Sequence, residues 1–549
     1  MPTTDLLKTF GLSRNPFTDR TAEKTNHDST SLYIHSDLRG FKPNDTTYVF
    51  FGKRGSGKTT IRLQMDDAYK AYNQAAIESS RSKGHFMVDM SKPGHLTACL
   101  TQFQSCIGST LDNWDAAFQP GHLTACLTQF QSCIGSTLDN WDAAFQDAWT
   151  SSDMVDCVLS FAATRLMDQI KANTEEARRM LEVLKQDPRA AQQFLLLAHM
   201  YARTDTYSLS WLRAALVKSK YTPLQVAAGV GVASTILAGG VAAARDPDVA
   251  DALAAPAEHV WEQLEGALPP LRSHPKLVLG AVGLAALGSA YMWRRYLVAT
   301  SLARAAEMQA QVRVVKQQPP AVLAGLLDSL FSPQDKVDTI RLLVIGISAH
   351  QKLELLERLL TQLGYESVTV FGDCFDEVTL LDPVRFPGAI KVFAREICRN
   401  DLLNFGRLHF FFPDSRLALD LSTDKTLKEA RFDRHFVRDL VWSRHQLEEL
   451  AERRFRAAQD ELRAEAEATL GKDFVEDASY QEATKTSFAD LFKKVRGEDF
   501  SSYLSKLSTP RELLIMMTEM FARIEAHPEG GLTAQDMEIA VTKALEQAV

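Results

Sequence analysis

The stretch FGKRGSGKT, residues 51–59, decides how the rest of the sequence is interpreted. Residues Gly52–Thr59 fill all the fixed positions of the pattern G-x-x-x-x-G-K-[ST]. The apolar residues Tyr48–Phe51 before it predict a short buried strand, and the residues after it can begin a helix. Glycines let backbone N–H groups turn inward around phosphate oxygens, and the helix N-terminus adds partial positive charge. The sequence therefore predicts a phosphate-binding loop rather than a chance glycine-rich turn.

The polar residues of this loop have predicted roles. Lys58 is expected to reach the β- and γ-phosphates of a nucleotide, and the Thr59 hydroxyl to coordinate Mg²⁺. ATP and Mg²⁺ are therefore the expected cofactors. The residues expected to contact the nucleotide are Gly52, Lys53, Arg54, Gly55, Ser56, Gly57, Lys58, Thr59 and Thr60.

The composition places this loop in a large globular protein. The 549 residues, 45% of them hydrophobic, suggest about two to four domains. The net charge of −8 argues against a nucleic-acid-binding protein, because such proteins usually carry a basic domain or stripe. Seven cysteines without a C-x-x-C pair indicate free thiols in a reducing compartment. The first residues lack the apolar core of a signal peptide, so the nucleotide-binding part is expected to face the cytosol.

A perfect tandem duplication follows. Residues 93–119 and 120–146 are identical over 27 positions. Structural repeats normally drift apart, so a recent duplication or a gene-model error is the favoured origin. Apolar residues spaced three or four apart predict one amphipathic helix in each copy. We expect one copy to pack in the core and the other to bulge out.

Two apolar segments suggest a membrane hairpin at 223–298. Val226–Ala244 and Leu277–Trp293 carry no charge and are 19 and 17 residues long, at the short end of the ~17–25 residues that span a bilayer. Basic residues flank the pair and an acidic loop joins them, which agrees with both ends lying in the cytosol. The alternative is an alanine-rich hairpin buried in a soluble domain. We favour membrane association through these two segments.

A second acidic motif lies far downstream. Glu366–Phe371 predicts a strand, and GDCFDE follows directly at 372–377. Asp373, at the end of the strand, could hold Mg²⁺, and Glu377 or else Asp376 could polarise an attacking water. The alternative is an acidic loop that merely follows a strand. Because a phosphate-bound magnesium needs a carboxylate, we favour the functional interpretation.

This order of motifs resembles the AAA+/STAND branch of P-loop NTPases. Three stretches carry the resemblance: FGKRGSGKT at 51–59, VTVFGDCFDE at 368–377 and FDRHFVRDLVWSRHQLEELAERRF at 432–455. The last is similar to the lid helix of origin-recognition-like ATPases. The two apolar segments between the first two stretches resemble the membrane helices of the KAP family.

The resemblance implies further roles. A buried strand over 408–412 precedes Asp414 and Ser415, either of which would sense the γ-phosphate. Arg434 and Arg511 would be phosphate-contacting arginines, although a surface salt bridge or a solvated arginine is the alternative for each. The implied catalytic residues are Lys58, Asp373, Glu377 and Asp376, with Thr59 and Asp373 as the magnesium ligands.

One departure from the resemblance concerns the catalytic base. Many AAA+ proteins have Glu directly after the acidic residue of this strand, and here Cys374 occupies that position. The assignment of the base, and fast turnover, therefore stay open.

Together these features predict an α/β fold: the three-layer parallel sheet of a P-loop NTPase, a C-terminal all-helical lid and an inserted helical, transmembrane hairpin. The expected segments are 1–92 (first half of the NTPase), 93–146 (duplication), 147–222 (helical insert), 223–298 (hairpin), 299–437 (second half) and 438–549 (lid).

The expected function is an ATP-binding and ATP-hydrolysing switch, tethered to a membrane. One alternative is a soluble AAA+-like ATPase that acts on nucleic acid, which the acidic balance disfavours. The other is a nucleotide-binding scaffold with little hydrolysis. A protein partner of unknown identity is expected, and self-association is compatible with the sequence.

Overall fold

The computed structural model describes most of the two halves of the predicted NTPase and of the helical regions. The described ranges are 41–43, 47–116, 141–216, 320–330, 349–397, 405–413, 436–470, 500–526 and 532–547, with isolated positions between them.

A five-stranded parallel sheet forms the centre of the fold, and its strand order is β2-β3-β4-β1-β5. The strands are β1 (Tyr48–Phe51), β2 (His85–Asp89), β3 (Ser367–Gly372), β4 (Arg407–Phe412) and β5 (Phe436–Asp439). The strand before the phosphate-binding loop, β1, lies between β4 and β5, and β4 separates it from β3. This parallel sheet is compatible with the predicted α/β class.

Helices make up most of the remaining described chain. They are α1 (Lys58–Glu78), α2 (Pro93–Ala116), α3 (Trp141–Ala148), α4 (Ser151–Lys171), α5 (Glu175–Gln186), α6 (Pro188–Tyr201), α7 (Thr206–Leu216), α8 (Pro320–Leu330), α9 (Ala349–Gln362), α10 (Pro387–Ile397), α11 (Arg444–Leu470), α12 (Phe500–Leu504), α13 (Pro510–Ala526) and α14 (Ala534–Gln547).

The alternation of side chains along β1 divides the core between the two faces of the sheet. Tyr48 and Phe50 pack with apolar residues of α1 on one face. Val49 and Phe51 point to the other face, where they join a large cluster built by α2–α7, α9 and α10. Successive residues of a strand point to opposite faces, so a run of four buried residues in β1 is what a strand covered on both sides requires.

The C-terminal helices have a core of their own. Residues of α11–α14 form a separate apolar cluster, which we call the lid core. Leu12 and Phe17 from the start of the chain are buried in it, and the Thr518 hydroxyl donates a hydrogen bond of 2.9 Å to the Phe17 carbonyl. Leu12 and Phe17 therefore pack on the lid, whereas Phe41 packs against Tyr48 of β1.

The transmembrane hairpin of the predicted fold has to be corrected. In the part of the chain that the structure describes, no helix is long and apolar enough to cross a membrane. Segments 226–244 and 277–293 themselves lie outside the described residues. Within the helical insert, α6 places its Phe194–Leu197 run in the protein core, where all four residues are buried. This apolar run thus serves burial within the fold, which hydropathy alone does not distinguish from burial in lipid.

The two copies of the duplication share one packing site. Leu96, Leu100 and Phe103 of the first copy are buried, as are Trp141 and Phe145 of the second. The Phe103 ring lies 6.3 Å from the Trp141 ring and 5.7 Å from the Phe145 ring, centroid to centroid. The beginning of the first copy thus packs against the end of the second, while residues 117–140 lie outside the described residues, so the expectation that one copy packs and the other bulges out stays a prediction.

Two buried histidines lie between the sheet and α1. His409 Nε2 is 3.0 Å from the Tyr69 hydroxyl, and His85 Nδ1 is 3.2 Å from the Thr369 hydroxyl. Burial, with smaller contributions from the charges of Arg407 and His85, lowers the pKa of His409 to about 3. Burial also lowers the pKa of His85. Both rings are therefore neutral in the folded protein at neutral pH.

Deleting residues 114–140 leaves one complete copy, and we expect the shortened protein to be at least as stable as the parent. The deletion keeps every buried residue named above, including Phe103, Trp141 and Phe145. The closing segment between Phe103 and Trp141 becomes shorter, which lowers the entropic cost of closing it by about 1 kcal/mol. The midpoints of thermal and urea unfolding of both proteins measure the outcome.

The control for the deletion is Phe103→Ala in the shortened protein, which has no second copy of this phenylalanine. Loss of a buried Phe costs ~3–5 kcal/mol, so this variant shows that the assay detects damage to the shared site. A deletion that destabilises the protein as much as this substitution would contradict the shared packing of the two copies.

Acid should destabilise the fold through His409. The pKa of His409 is about 3 in the folded protein and near 6.5 in the unfolded chain. Between pH 6.5 and pH 3, His409 is therefore protonated in the unfolded chain but neutral in the folded protein. The unfolding free energy therefore falls as pH drops below about 6.5, by up to about 1.4 kcal/mol per pH unit. Glutamine at position 409 keeps a hydrogen-bond acceptor for Tyr69 but does not titrate. We therefore expect the unfolding free energy of His409→Gln, measured by urea unfolding, to fall less steeply between pH 7 and pH 4 than that of wild type.

The matched control is His445→Gln, because His445 is exposed on α11. The unfolding free energy of His445→Gln should change with pH as steeply as that of wild type. An equal slope in wild type and His409→Gln would show that His409 does not titrate as its burial implies.

Candidate functional site

Two glycines of the loop after β1 adopt a left-handed backbone conformation. Gly55 has φ of 83° and Gly57 has φ of 88°, both in the left-handed region that favours glycine. Gly57 is the residue before α1, and the helix begins at Lys58. The loop amides and the N-terminus of α1 thus lie together, which is the arrangement that binds phosphate groups.

Lys58 lies across the loop rather than out in solvent. Its side chain is buried, and Nζ donates hydrogen bonds to the Gly52 carbonyl at 2.8 Å and the Lys53 carbonyl at 3.1 Å. These carbonyl oxygens hold the ammonium group above the loop. A phosphate oxygen bound there would find a charged donor already in position.

Thr59 and Asp373 meet at the carboxyl edge of the sheet. The Thr59 hydroxyl donates a hydrogen bond of 2.8 Å to Asp373 Oδ2, although 314 residues separate the two in the chain. The Cys374 amide donates to Asp373 Oδ1 at 2.8 Å, and Arg62 Nε lies 3.5 Å from Oδ2. The structure therefore brings together the two residues that the sequence predicts as magnesium ligands.

The electrostatics of Asp373 follow from its burial. Its side chain is almost fully buried, and burial raises the pKa of its carboxyl above the ordinary value. Hydrogen bonds from Thr59 and Cys374 and the charges of Arg62 and Lys58 lower that pKa in part. A divalent cation at this carboxylate would stabilise its charged form further, as it does for other carboxylate ligands.

Mg²⁺ and the phosphates of a nucleotide fit the residues present. A hydroxyl, a buried carboxylate, a buried ammonium and a helix N-terminus face the same loop. Within the described ranges, no group of three or more His, Cys, Asp or Glu side chains could hold a metal ion by itself. A cation at Thr59 and Asp373 would thus need further oxygens from phosphate or water, which is how Mg²⁺ is usually bound.

The two candidate bases lie beyond a sharp turn. Cys374 has φ of 59°, and the chain then enters a short 3₁₀ turn at Phe375–Glu377. Asp376 is half-buried and Glu377 is exposed. Burial, and then the charges of Asp373, Glu377 and Asp376, raise the pKa of the Cys374 thiol to about 12, so it is neutral at ordinary pH.

Of the four predicted sensor residues, one reaches the loop. The Arg511 amide, in the first turn of α13, donates a hydrogen bond of 3.2 Å to the Gly55 carbonyl. A Cβ on Gly55 would lie only 2.5 Å from Arg511 Cβ, so the two residues are in close contact. Asp414, Ser415 and Arg434 lie outside the described residues.

The remaining predicted contacts differ in exposure. Lys53 and Arg54 are exposed at the tip of the loop, Thr60 is half-buried in α1, and Ser56 is fully buried. The Ser56 hydroxyl has no hydrogen-bond partner among the described residues, and a Cβ on Gly52 would collide with it. An unpaired buried hydroxyl costs free energy unless a water or a ligand satisfies it.

Sequence reasoning missed two residues of the site. The Trp442 indole Nε1 donates a buried hydrogen bond of 2.8 Å to the Ser56 carbonyl, 386 residues away in the chain. Arg62 lies one turn of α1 after Lys58 and faces Asp373. The spacing of Arg62 from Thr59 on one helix was a usable signal, because residues three apart share a face. For Trp442 the sequence carried no such signal, apart from its position in the stretch 432–455 that resembles a lid.

We compared the sequence and the structure with known proteins and found no match. No protein-family model matches the sequence, no curated protein matches it, and no solved structure matches its fold.

Thr59→Ala tests the hydroxyl that Asp373 binds. We expect affinity for ATP with Mg²⁺ to fall about tenfold, because one metal ligand and one hydrogen bond are lost. Affinity for ATP in the presence of EDTA should change little, since the loop amides and Lys58 remain. Isothermal titration calorimetry with and without Mg²⁺ measures both values.

Thr101→Ala is the matched control. Its hydroxyl is exposed on α2 and donates to the Thr97 carbonyl, so the same atoms are removed away from the loop. If Thr59→Ala has the wild-type affinity for ATP both in the presence of Mg²⁺ and in EDTA, Thr59 is not a metal ligand.

Proposed function

We propose that this protein is an ATP-binding, Mg²⁺-dependent P-loop NTPase that works as a nucleotide-dependent switch. The observation that carries the proposal is the hydrogen bond between the Thr59 hydroxyl and the Asp373 carboxylate. A hydroxyl from the phosphate-binding loop and a carboxylate at the end of another parallel strand are the two protein ligands that P-loop NTPases give to Mg²⁺.

The residues around the loop have distinct tasks in this proposal. Lys58 carries the positive charge for the β- and γ-phosphates, and the loop amides bind phosphate oxygens. Thr59 and Asp373 hold the cation, and Arg62 and the Cys374 amide keep the Asp373 carboxylate in place. When bound, Mg²⁺ would neutralise charge that develops on the transferred phosphoryl group.

The order of the strands supports the resemblance to the AAA+/STAND branch. Strand β4 lies between β1 and β3, so it ends at the same edge of the sheet as the phosphate-binding loop and Asp373. The Gly52 amide donates a hydrogen bond of 3.1 Å to the Phe412 carbonyl, which joins the loop to the end of that strand. The lid contacts the same loop through Trp442 and Arg511.

A nucleotide-binding scaffold with little hydrolysis is the second candidate. The turn at Cys374 leaves Glu377 exposed and Asp376 half-buried, and Cys374 occupies the position where many AAA+ proteins have Glu, which favours a site without an efficient base. General bases contribute about 10²–10⁴-fold to rates, and a site without one binds nucleotide normally while turning it over slowly.

One experiment separates these functions. ATP binding by calorimetry and phosphate release are measured for wild type, Lys58→Ala and Glu377→Gln. We expect Lys58→Ala to weaken ATP binding about 10- to 100-fold, since it removes a charged donor from the loop. For a switch that hydrolyses ATP with Glu377 as base, Glu377→Gln should slow phosphate release at least about 100-fold and leave binding unchanged.

The outcomes have different meanings. Unchanged ATP binding by Lys58→Ala would refute the phosphate-binding loop itself. Slow phosphate release by wild type, with no further loss in Glu377→Gln, would favour the scaffold. Asp376→Asn tests the other candidate base in the same turn, and slower phosphate release in that variant alone would assign the base to Asp376.

A further inference from the structure

The lid binds the phosphate-binding loop through the carbonyl oxygens of two successive residues. The Trp442 indole N–H donates to the Ser56 carbonyl at 2.8 Å, and the Arg511 amide donates to the Gly55 carbonyl at 3.2 Å. Trp442 is buried, and its ring and the Pro510 ring lie within van der Waals contact of the place where a Cβ on Gly57 would be. The lid thus touches three consecutive residues of the loop.

The geometry of the peptide bond links these contacts to the phosphate side of the loop. In a trans peptide the C=O and the following N–H point in opposite directions. The bond from Trp442 to the Ser56 carbonyl therefore turns the Gly57 N–H away from the indole. The bond from Arg511 to the Gly55 carbonyl likewise turns the Ser56 N–H inward, where it donates to the Lys53 carbonyl at 3.1 Å.

The loop needs such support because its glycines are intrinsically free. Gly55 and Gly57 both have positive φ, and glycine loses more conformational entropy on ordering than any other residue. Contacts that hold the two peptide units in one orientation lower the cost of ordering them when a ligand binds. The donors to the Gly55 and Ser56 carbonyls both come from the lid, so the orientation of these carbonyls depends on where the lid is.

We propose that Trp442 is a positioning residue for the nucleotide: its indole N–H orients the Ser56–Gly57 peptide and couples lid docking to ATP affinity. This inference rests on the proposed function, since it concerns the same loop. The coupling is reciprocal by thermodynamic linkage, so bound ATP must stabilise the docked lid by the factor by which the docked lid tightens ATP binding.

Trp442→Phe tests the indole N–H while keeping an aromatic ring. We expect its affinity for Mg²⁺-ATP to be about fivefold weaker than that of wild type, the value of one hydrogen bond. Trp149→Phe is the matched control, because Trp149 is also buried and its Nε1 has no hydrogen-bond partner in the described part of the chain. It should bind ATP as wild type does.

A second measurement separates positioning from simple loss of stability. Backbone hydrogen exchange over 440–443 and 509–513 is followed with and without Mg²⁺-ATP. In wild type, ATP should slow exchange in both segments at least about threefold. In Trp442→Phe, the effect of ATP on 509–513 should be reduced, whereas in Trp149→Phe it should remain.

The outcomes are distinguishable. A wild type that does not bind ATP refutes the proposed function and this inference together. ATP binding of equal strength by Trp442→Phe and Trp149→Phe refutes the inference alone. If Trp442→Phe does not fold, the wild-type exchange experiment decides, and exchange in both lid segments that ATP leaves unchanged overturns the coupling.

Discussion

The hydrogen bond between Thr59 and Asp373 depends on the parallel order of the sheet. Strands β1 and β3 are not neighbours, because β4 lies between them. Two strand spacings amount to about 10 Å, so the side chains must bridge the end of β4. They can do so because parallel strands end at the same edge, where α1 begins above β1 and Asp373 follows β3 directly. An antiparallel partner at β3 would bring its amino end to this edge instead.

The same interaction makes the buried charges of the site tolerable. Asp373 is buried enough that its pKa is raised, yet it accepts hydrogen bonds from Thr59 and Cys374 and faces Arg62. Lys58 is buried as well, and its ammonium is held by two carbonyl oxygens. A buried charge without partners costs several kcal/mol, so each charge here is kept by nearby polar groups. The site holds two cationic side chains, Lys58 and Arg62, and one carboxylate, Asp373, so both the phosphates of ATP and Mg²⁺ would find groups of opposite charge there.

Local patterns in the sequence encode the parts of the site that depend on one element at a time. The glycine positions, Lys58 and Thr59 follow from a motif, and Asp373 follows from an apolar run that ends in an acidic residue. Arg62 could have been found from helical spacing. The contact of Trp442 with Ser56 could not, because it joins residues 386 apart and neither lies in a pattern that requires the other.

Two expectations about the fold, the transmembrane hairpin and the packing of the duplication, rest on sequence patterns that do not determine what a segment packs against. The transmembrane hairpin was inferred from uncharged, apolar segments, but hydropathy reports that a segment avoids water and not what covers it. The duplication was read as two equivalent helices, of which one would pack. Identical sequences have identical preferences, so only the positions of the flanking elements decide which part of each copy meets Phe103, Trp141 and Phe145.

The two sides of the phosphate-binding loop are not independent. A peptide unit that turns its N–H toward a phosphate must turn its C=O away from it, and an exposed row of carbonyls needs donors of its own. In this protein the donors for Gly55 and Ser56 come from the lid. At the Ser56–Gly57 peptide, the lid thus binds the C=O end of the dipole and leaves the N–H end for an anion, so no long path through the protein is needed to connect them. Coupling between ATP and the lid then follows from the orientation of this peptide unit.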